Sequence, residues 1–196
     1  MDTHDEHNAI KPLRILIVGA GIGGLAAALA LRQQGHDVDL FEQSKLSQET
    51  GAAIHTATNA NGLLRRLGLR VEDYGAVECA GMAEYFPDTG ALKYRMDLKK
   101  TGDKLWAHPW HLIHRAHLHT ALRQMVLSPE GKGRPARLHL ASRVKSVDPE
   151  TASITFEGGA QTGEGEVVHP TVCKVSQTSR HTRYSHRVCL LAQAVE

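Results

Sequence analysis

The sequence predicts an α/β chain built around a parallel sheet, and three features of the stretch Arg14 to Glu42 carry that prediction. First, Leu13 to Val18 is a short apolar run of the kind a buried parallel strand needs. Second, Gly19, Gly21 and Gly24 fall on the G-x-G-x-x-G spacing, with Ala20, Ile22 and Gly23 between them, and a helical pattern follows. Third, a second apolar run, Val38 to Phe41, delivers Glu42 eighteen residues beyond Gly24. In such a turn the first glycine permits the tight bend, the second lets the backbone approach a pyrophosphate, and the third lets helix and strand pack closely. The helix aims free N–H groups and the positive end of its dipole at the phosphates. Its apolar positions, Leu25, Ala28, Leu29 and Leu31, give way to Gln33-Gln34-Gly35, where Gly35 is placed to cap the C-terminus. A carboxylate at Glu42 can accept hydrogen bonds from both hydroxyls of an adenosine ribose.

G-x-G-x-x-G alone is a weak signal. Here it follows a strand, opens a helix and ends at an acidic residue, which argues against a merely structural turn. Ile15 to Leu31 carries no charge for seventeen residues, which invites a membrane reading. It falls short of the ~20 residues a span needs, contains glycines and has an amphipathic sequel.

At 196 residues the chain can hold one good core, or one domain and part of another. Hydrophobic content of 41% and charged content of 22% are ordinary for a globular protein. A net charge of +2 is too small a bias to suggest a nucleic-acid partner. The polar, acidic N-terminus lacks the basic-then-apolar pattern of a secretory signal. Cys79, Cys173 and Cys189 form no C-x-x-C pair, so reduced thiols in a cytoplasmic protein are the simplest reading.

Residues 1–11 read as a disordered leader. The polar segment 43–50 reads as a loop, and Asn59 or Asn61 is placed to cap a short helix with Leu63, Leu64 and Leu67 inward and Gly68 at its end. From about residue 79 to 98 the period changes: MAEYF and ALKYRM flank Pro87-Asp88-Thr89-Gly90, a β-hairpin outside the nucleotide-binding layer. Trp110 to His114 reads as a strand, and Arg115 to Leu127 as a helix with Leu118, Leu122, Met125 and Val126 inward. Arg137 to Ala141, Arg143 to Val147 and Ser153 to Phe156 read as short strands. Residues 12–159 therefore form the expected domain. Residues 160–196 show no clear period and are expected to be a poorly ordered tail.

With these residues in hand, the chain resembles the FAD-binding part of the flavoprotein aromatic hydroxylases, in particular the salicylate hydroxylase-like monooxygenases. The resemblance runs from about Leu13 to Gly159. It rests on the glycine turn with Glu42, on Gly51-Ala52-Ala53-Ile54 followed by Asn59 and LLRRLGL, and on Arg115, Leu118 and Leu122 in R-x-x-L-x-x-x-L. It implies a Rossmann-like FAD-binding fold with part of a β-rich substrate domain, incomplete relative to the family. It implies that Glu42, with Gln43 beside it, anchors the ribose, that the backbone at Ala52 and Ala53 lies along the dinucleotide, that Arg115 reaches the flavin cofactor, and that Val144 lies near the adenine. The chemistry implied is NAD(P)H-dependent hydroxylation of a small aromatic substrate through a flavin C4a-hydroperoxide, most of the work belonging to the cofactor. No residue stands out as a general base.

The family's later Gly-Ala-Asp-Gly-like turn does not follow, because the sequence has no Asp after Asp148. The expectation is a truncated product whose tail comes from a shifted frame or read-through, leaving the parallel sheet short of a strand. Two other readings stand beside this one: an NAD(P)-binding Rossmann reductase, since Glu42 suits that ribose equally, and an inactive nucleotide-binding remnant. His108, His111, His114, His117 and His119 crowd into twelve residues, but Pro109 and a strand-to-helix junction near His114 break any common face, so a metal site is not expected.

Overall fold

The computed structural model describes residues 11–45, 52–100, 107–158, 162–165 and 167–170. Two compact units are found, one made of residues 1–46 and 125–196 and the other of residues 47–124. The sequence-read hairpin falls in the second.

In the first unit, β1 (Arg14–Val18) runs into α1 (Ile22–Gln33) and β2 (Asp37–Phe41). The α1 helix ends as the sequence predicts. Gly35 takes φ of 90°, its N–H bonds the Arg32 carbonyl, and the His36 N–H bonds the Leu31 carbonyl, the two bonds of a Schellman cap. A left-handed backbone there costs glycine nothing. Ile15, Ile17, Val38 and Leu40 are buried on the face where α1 packs with Leu25, Ala28 and Leu29 inward. Because successive strand residues alternate in direction, Leu16 and Phe41 lie on the other face. There they form a core with Ala152 and Ile154, joined by Val18, Val144, Val147 and Phe156. Apart from Val18 of β1, those partners come from β9 (Val144–Asp148), from β10 (Ser153–Phe156) and from Ala152 just before it; β10 pairs antiparallel with β9 on one side and with β11 (Thr162–Glu164) on the other.

The four-stranded sheet has the order β12-β1-β2-β8, where β8 is Arg137–His139 and β12 is Val167–Pro170. All its pairings are parallel, and Ile15 lies opposite Val167. This corrects two expectations. The sequence beyond 160 does contain elements, β11 and β12, and β12 supplies the parallel neighbour of β1 that was expected to be missing. Each has only three or four residues, too few for a period to show, and pairing with the preformed edge of β1 decides their state. Gly165 lets the chain pass there: a Cβ at that position would lie 2.8 Å from Leu16 and 3.1 Å from the Arg14 carbonyl. Residues 171–196 lie outside the described residues.

In the second unit, β3 (Ala53–Thr56), β7 (His111–His114) and β4 (Val77–Glu78) form an antiparallel sheet with β7 in the centre. Helix α2 (Thr58–Arg66) follows β3, and α3 (Arg115–Leu127) follows β7, its last residues from Met125 on belonging to the first unit. Gly68 closes α2 as expected, with φ of 86° and bonds from Gly68 to Arg65 and from Leu69 to Leu64. The other expectations for α2 need correction. Its N-cap is Ala57, with no side-chain bond, and Asn61 is buried inside the helix, where its amide donates to the Pro109 carbonyl at 2.8 Å and lies 3.1 Å from His111 Nδ1. Leu63 is 55% exposed, while Leu64 and Leu67 are buried. An asparagine next to a helix start has the right chemistry for a cap; here its amide has a long-range partner, and the helix starts before it. The hairpin is present as β5 (Gly81–Tyr85) and β6 (Leu92–Asp97), with Gly90 at φ of 66°.

One residue braces the first unit. Arg32 is 1% exposed, and its guanidinium donates to six carbonyls, those of Met125, Val126, Ser128, Glu130, Lys132 and Gly133. Gly133 presses so closely on the Arg32 backbone that a Cβ would sit 1.8 Å from the Arg32 carbonyl oxygen. Replacing Arg32 with Met is expected to destabilise the fold by about 3 kcal/mol, since buried carbonyls lose a charged donor. The shift of the urea midpoint, at unchanged slope, measures it.

Candidate nucleotide-binding site

Between β1 and α1 the chain turns through Gly19, whose φ is 99° and whose N–H bonds the Phe41 carbonyl at 2.8 Å. That bond holds the turn against the end of β2. Gly21 is the N-cap of α1, and no side chain caps the helix. There is no acidic residue in the first helical turn. A Cβ built on Gly21 meets nothing within 4 Å, so the space in front of the helix N-terminus is open. Ile22 and Gly23 begin the helix, and Gly24 is buried against the sheet. A positive dipole end with no acidic residue in its first helical turn and open space before it is suited to an anion.

Glu42 leaves the end of β2 half-buried. One carboxylate oxygen accepts the Ala20 N–H at 3.0 Å and the other accepts the Ser44 N–H at 2.8 Å. A carboxylate offers about four lone-pair positions. One group thus ties the glycine turn to the loop after β2 and keeps the acceptor chemistry a ribose requires. Gln43 is exposed in the bend that follows. Val144 opens β9 and packs on the Leu16–Phe41 core. Gly19 to Gly24, Glu42, Gln43 and Val144 are all in the first unit.

Ala52, Ala53 and Arg115 lie in the second unit. The structure brings these together: the Arg115 N–H donates to the Ala52 carbonyl at 3.2 Å, and Ala53 lies opposite His114 across the β3–β7 pair. Arg115 opens α3 with its side chain exposed, and His114 Nδ1 accepts the Ala116 N–H at that helix start. Gly51 lies outside the described residues.

Sequence reasoning missed a charged cluster beneath Glu42. Asp39, on β2, is 2% exposed and takes two bonds from Arg137, at 2.8 and 2.7 Å, and one from His139 at 2.8 Å, with Arg14 at 3.5 Å. Burial pushes its carboxyl up, but the Arg137 and His139 hydrogen bonds and charges outweigh that and hold it at about 2 against an ordinary 3.8. Asp39 in turn raises the Arg137 pKa. His139 stacks on Phe41, with ring centroids 4.6 Å apart, and its carbonyl accepts the Glu42 N–H at 2.8 Å. The only clue in the sequence was an acidic residue inside an apolar strand.

Among the described residues, no group of three or more His, Cys, Asp or Glu side chains is arranged to hold a metal ion. No helix among them is long and apolar enough to cross a membrane. An open groove of about 390 Å³, lined in part by Asn59, Arg66 and His108, holds none of the residues the resemblance assigns to the cofactor.

Residues 17–78 match the NAD(P)-binding Rossmann-like domain family. The chain is 37% identical over 149 residues to hispidin-3-hydroxylase of Neonothopanus nambi, covering 75% of this chain and 34% of that protein. It is 41% identical over 149 residues to the FAD-dependent monooxygenase cfoG of Aspergillus candidus, with the same coverage of 75% and 34%. The crystal structure of 2-methyl-3-hydroxypyridine-5-carboxylic acid oxygenase superposes with a TM-score of 0.67 at 25% identity, over 81% of this chain and 39% of that one. Over about three quarters of its residues the chain is therefore related to the FAD-dependent monooxygenases, and it spans about a third of the length of these relatives.

The Asp39 cluster yields a pH dependence. With the folded pKa below the unfolded one, its stabilisation is present above about pH 4 and is lost as pH falls toward 2; the shift from 3.8 to about 2 corresponds to about 2 kcal/mol. Asp39→Asn is expected to lower stability at neutral pH by at least that amount and to flatten this limb of the acid-unfolding curve, read by circular dichroism.

Proposed function

We propose that this chain is the FAD-binding portion of an FAD-dependent monooxygenase that uses NAD(P)H to hydroxylate a small aromatic substrate in the cytoplasm. The observation that carries the reading is the Gly19–Gly24 turn, closed on Glu42 through Ala20 and opening onto an uncapped helix N-terminus. The turn Gly19, Ala20, Gly21, Ile22, Gly23 and Gly24 receives the pyrophosphate: the Gly19 and Ala20 N–H groups are held by Phe41 and Glu42, and the N–H groups at the start of α1 with the helix dipole favour negative charge. Glu42, with Gln43 beside it, accepts the adenosine ribose hydroxyls, and Val144 lies against the adenine. Ala52 and Ala53 run along the dinucleotide, and Arg115 supplies a positive charge to a cofactor phosphate or hydroxyl region. When bound, the flavin supplies the oxygen-activating chemistry; this chain's residues bind it, orient it and exclude water.

The match to a family described as NAD(P)-binding favours a second reading, a nicotinamide-dependent reductase. The two readings differ in what stays bound. A purified chain with a flavin absorbance spectrum, or one that quenches added FAD fluorescence with micromolar affinity or tighter, supports the flavoprotein. NADH binding without FAD binding supports the reductase. No binding of FAD by a folded sample overturns the proposal for this chain.

Two variants test the residue assignments. Gly21→Ala leaves the fold intact, because nothing stands within 4 Å of the new Cβ, yet it fills the space proposed for the pyrophosphate. FAD affinity is expected to fall about tenfold or more, roughly 1.4 kcal/mol, at unchanged melting temperature. Glu42→Gln is expected to weaken FAD by a similar factor, since one carboxylate oxygen becomes an amide donor that faces backbone N–H groups. Isothermal titration calorimetry on both variants reads these changes.

A further inference from the structure

The three-stranded sheet of the second unit has one buried and one open face. Ile54, Thr56, His111 and Ile113 point to the buried side. Ala53 and His55 therefore point to the open side, with Leu112 and His114 opposite them on β7 and Val77 opposite Leu112 on β4. On this face His55 has a specific partner: the Trp110 indole N–H donates to His55 Nδ1 at 3.0 Å, with the two rings edge to face and 5.8 Å apart.

An indole N–H only donates, so Nδ1 must be the acceptor nitrogen. In the neutral ring the proton is then on Nε2. Trp110 thereby fixes both the tautomer and the plane of the imidazole, and it leaves Nε2–H as a hydrogen-bond donor on the open face. Beside it run the apolar side chains of Leu112 and Val77, across three strands. The adjacent residue on the same face is Ala53, two positions earlier in β3.

We propose that His55, oriented by Trp110, donates a hydrogen bond to an oxyanion carried by the aromatic substrate, whose ring lies over Leu112 and Val77. This rests on the function proposed above, since Ala52 and Ala53 are assigned there to the cofactor's path. A donor that strengthens as its acceptor becomes charged favours the ionised form of a phenol. An ionised phenol is the electron-rich ring that an oxygen-inserting step requires. The same donor would serve a ring carboxylate, so the test separates the two oxyanions. Trp110 is a positioning residue, acting only through His55.

The experiment uses the full chain, with and without FAD. Long-range nitrogen–proton spectra of histidine-labelled protein first read the His55 tautomer. The Nε2–H form is expected in the wild type and a mixture of tautomers in Trp110→Phe; an Nδ1–H ring in the wild type overturns the proposal. Salicylate, phenol and benzoate are then titrated by calorimetry and followed at the His55 nitrogens. Salicylate is expected to move the Nε2 resonance, and His55→Ala to weaken it about tenfold. His55→Gln, whose amide still donates, is expected to retain most of the affinity. Phenol shifting Nε2 where benzoate does not assigns the phenolate; the reverse assigns the carboxylate. Salicylate binding equally to wild type and His55→Ala, or FAD binding with no aromatic ligand perturbing His55, overturns the inference and leaves the cofactor assignment intact. Failure of the folded chain to bind added FAD, with His55 still responding to salicylate, overturns the cofactor assignment and supports the donor role.

Discussion

The first unit depends on a buried guanidinium. A cation removed from water costs several kcal/mol unless hydrogen bonds replace its hydration. All six acceptors of Arg32 are main-chain carbonyls, three of them from Met125, Val126 and Ser128 at the C-terminal end of α3. The last carbonyls of a helix have no partner within it and carry the negative end of its dipole. Arg32 thus caps α3 from another helix, sharing the Val126 carbonyl with the Ala136 N–H, and the two liabilities, an unhydrated cation and helix-end carbonyls, offset each other. The remaining acceptors lie in the loop from Glu130 to Gly133 that leads to β8. Since β8 pairs with β2, the helix that opens at the glycine turn and the strand beside Glu42 are held by the same residue.

A second consequence concerns Glu42. Its backbone N–H bonds the His139 carbonyl of β8, and its carboxylate bonds the Ala20 N–H. The acidic side chain proposed for the ribose is therefore oriented before any ligand arrives. Directly below, Asp39 uses its charge on Arg137 and His139. Two acidic residues three positions apart have separate tasks because one is buried among cations and the other faces the turn.

The legible parts of the sequence were those whose signal is local. The glycine spacing, the two Schellman caps at Gly35 and Gly68 and the Pro87–Gly90 turn each depend on a few adjacent residues. The sequence-read helix and strand centres agree with the structure to within a residue or two. What escaped depends on partners far away in the chain. Arg32 meets carbonyls 93 to 101 positions later, and in a helical pattern it reads as one more surface charge. Asn61 looks like a cap until Pro109 and His111 arrive beside it, about fifty positions on. His55 and Trp110 are fifty-five positions apart, and neither belongs to a recognised spacing. The β12 strand is four residues long, and its identity comes from the edge it pairs with.

The hairpin β5–β6 obeys its local rules and still differs from the rest in kind. Met82, Tyr85, Phe86, Leu92 and Tyr94 are 45–58% exposed on it. A two-stranded ribbon is marginal in water at best. Its ordering here comes from its base, where the Leu98 and Lys99 N–H groups bond the Ala80 carbonyl and the Cys79 N–H bonds the Trp110 carbonyl. That last bond is made by the residue whose indole orients His55. The base of the ribbon and the histidine on the open sheet face therefore share one anchor. A change that loosens the ribbon at Cys79 should reach the His55 tautomer through Trp110, with no contact between the hairpin and the histidine required.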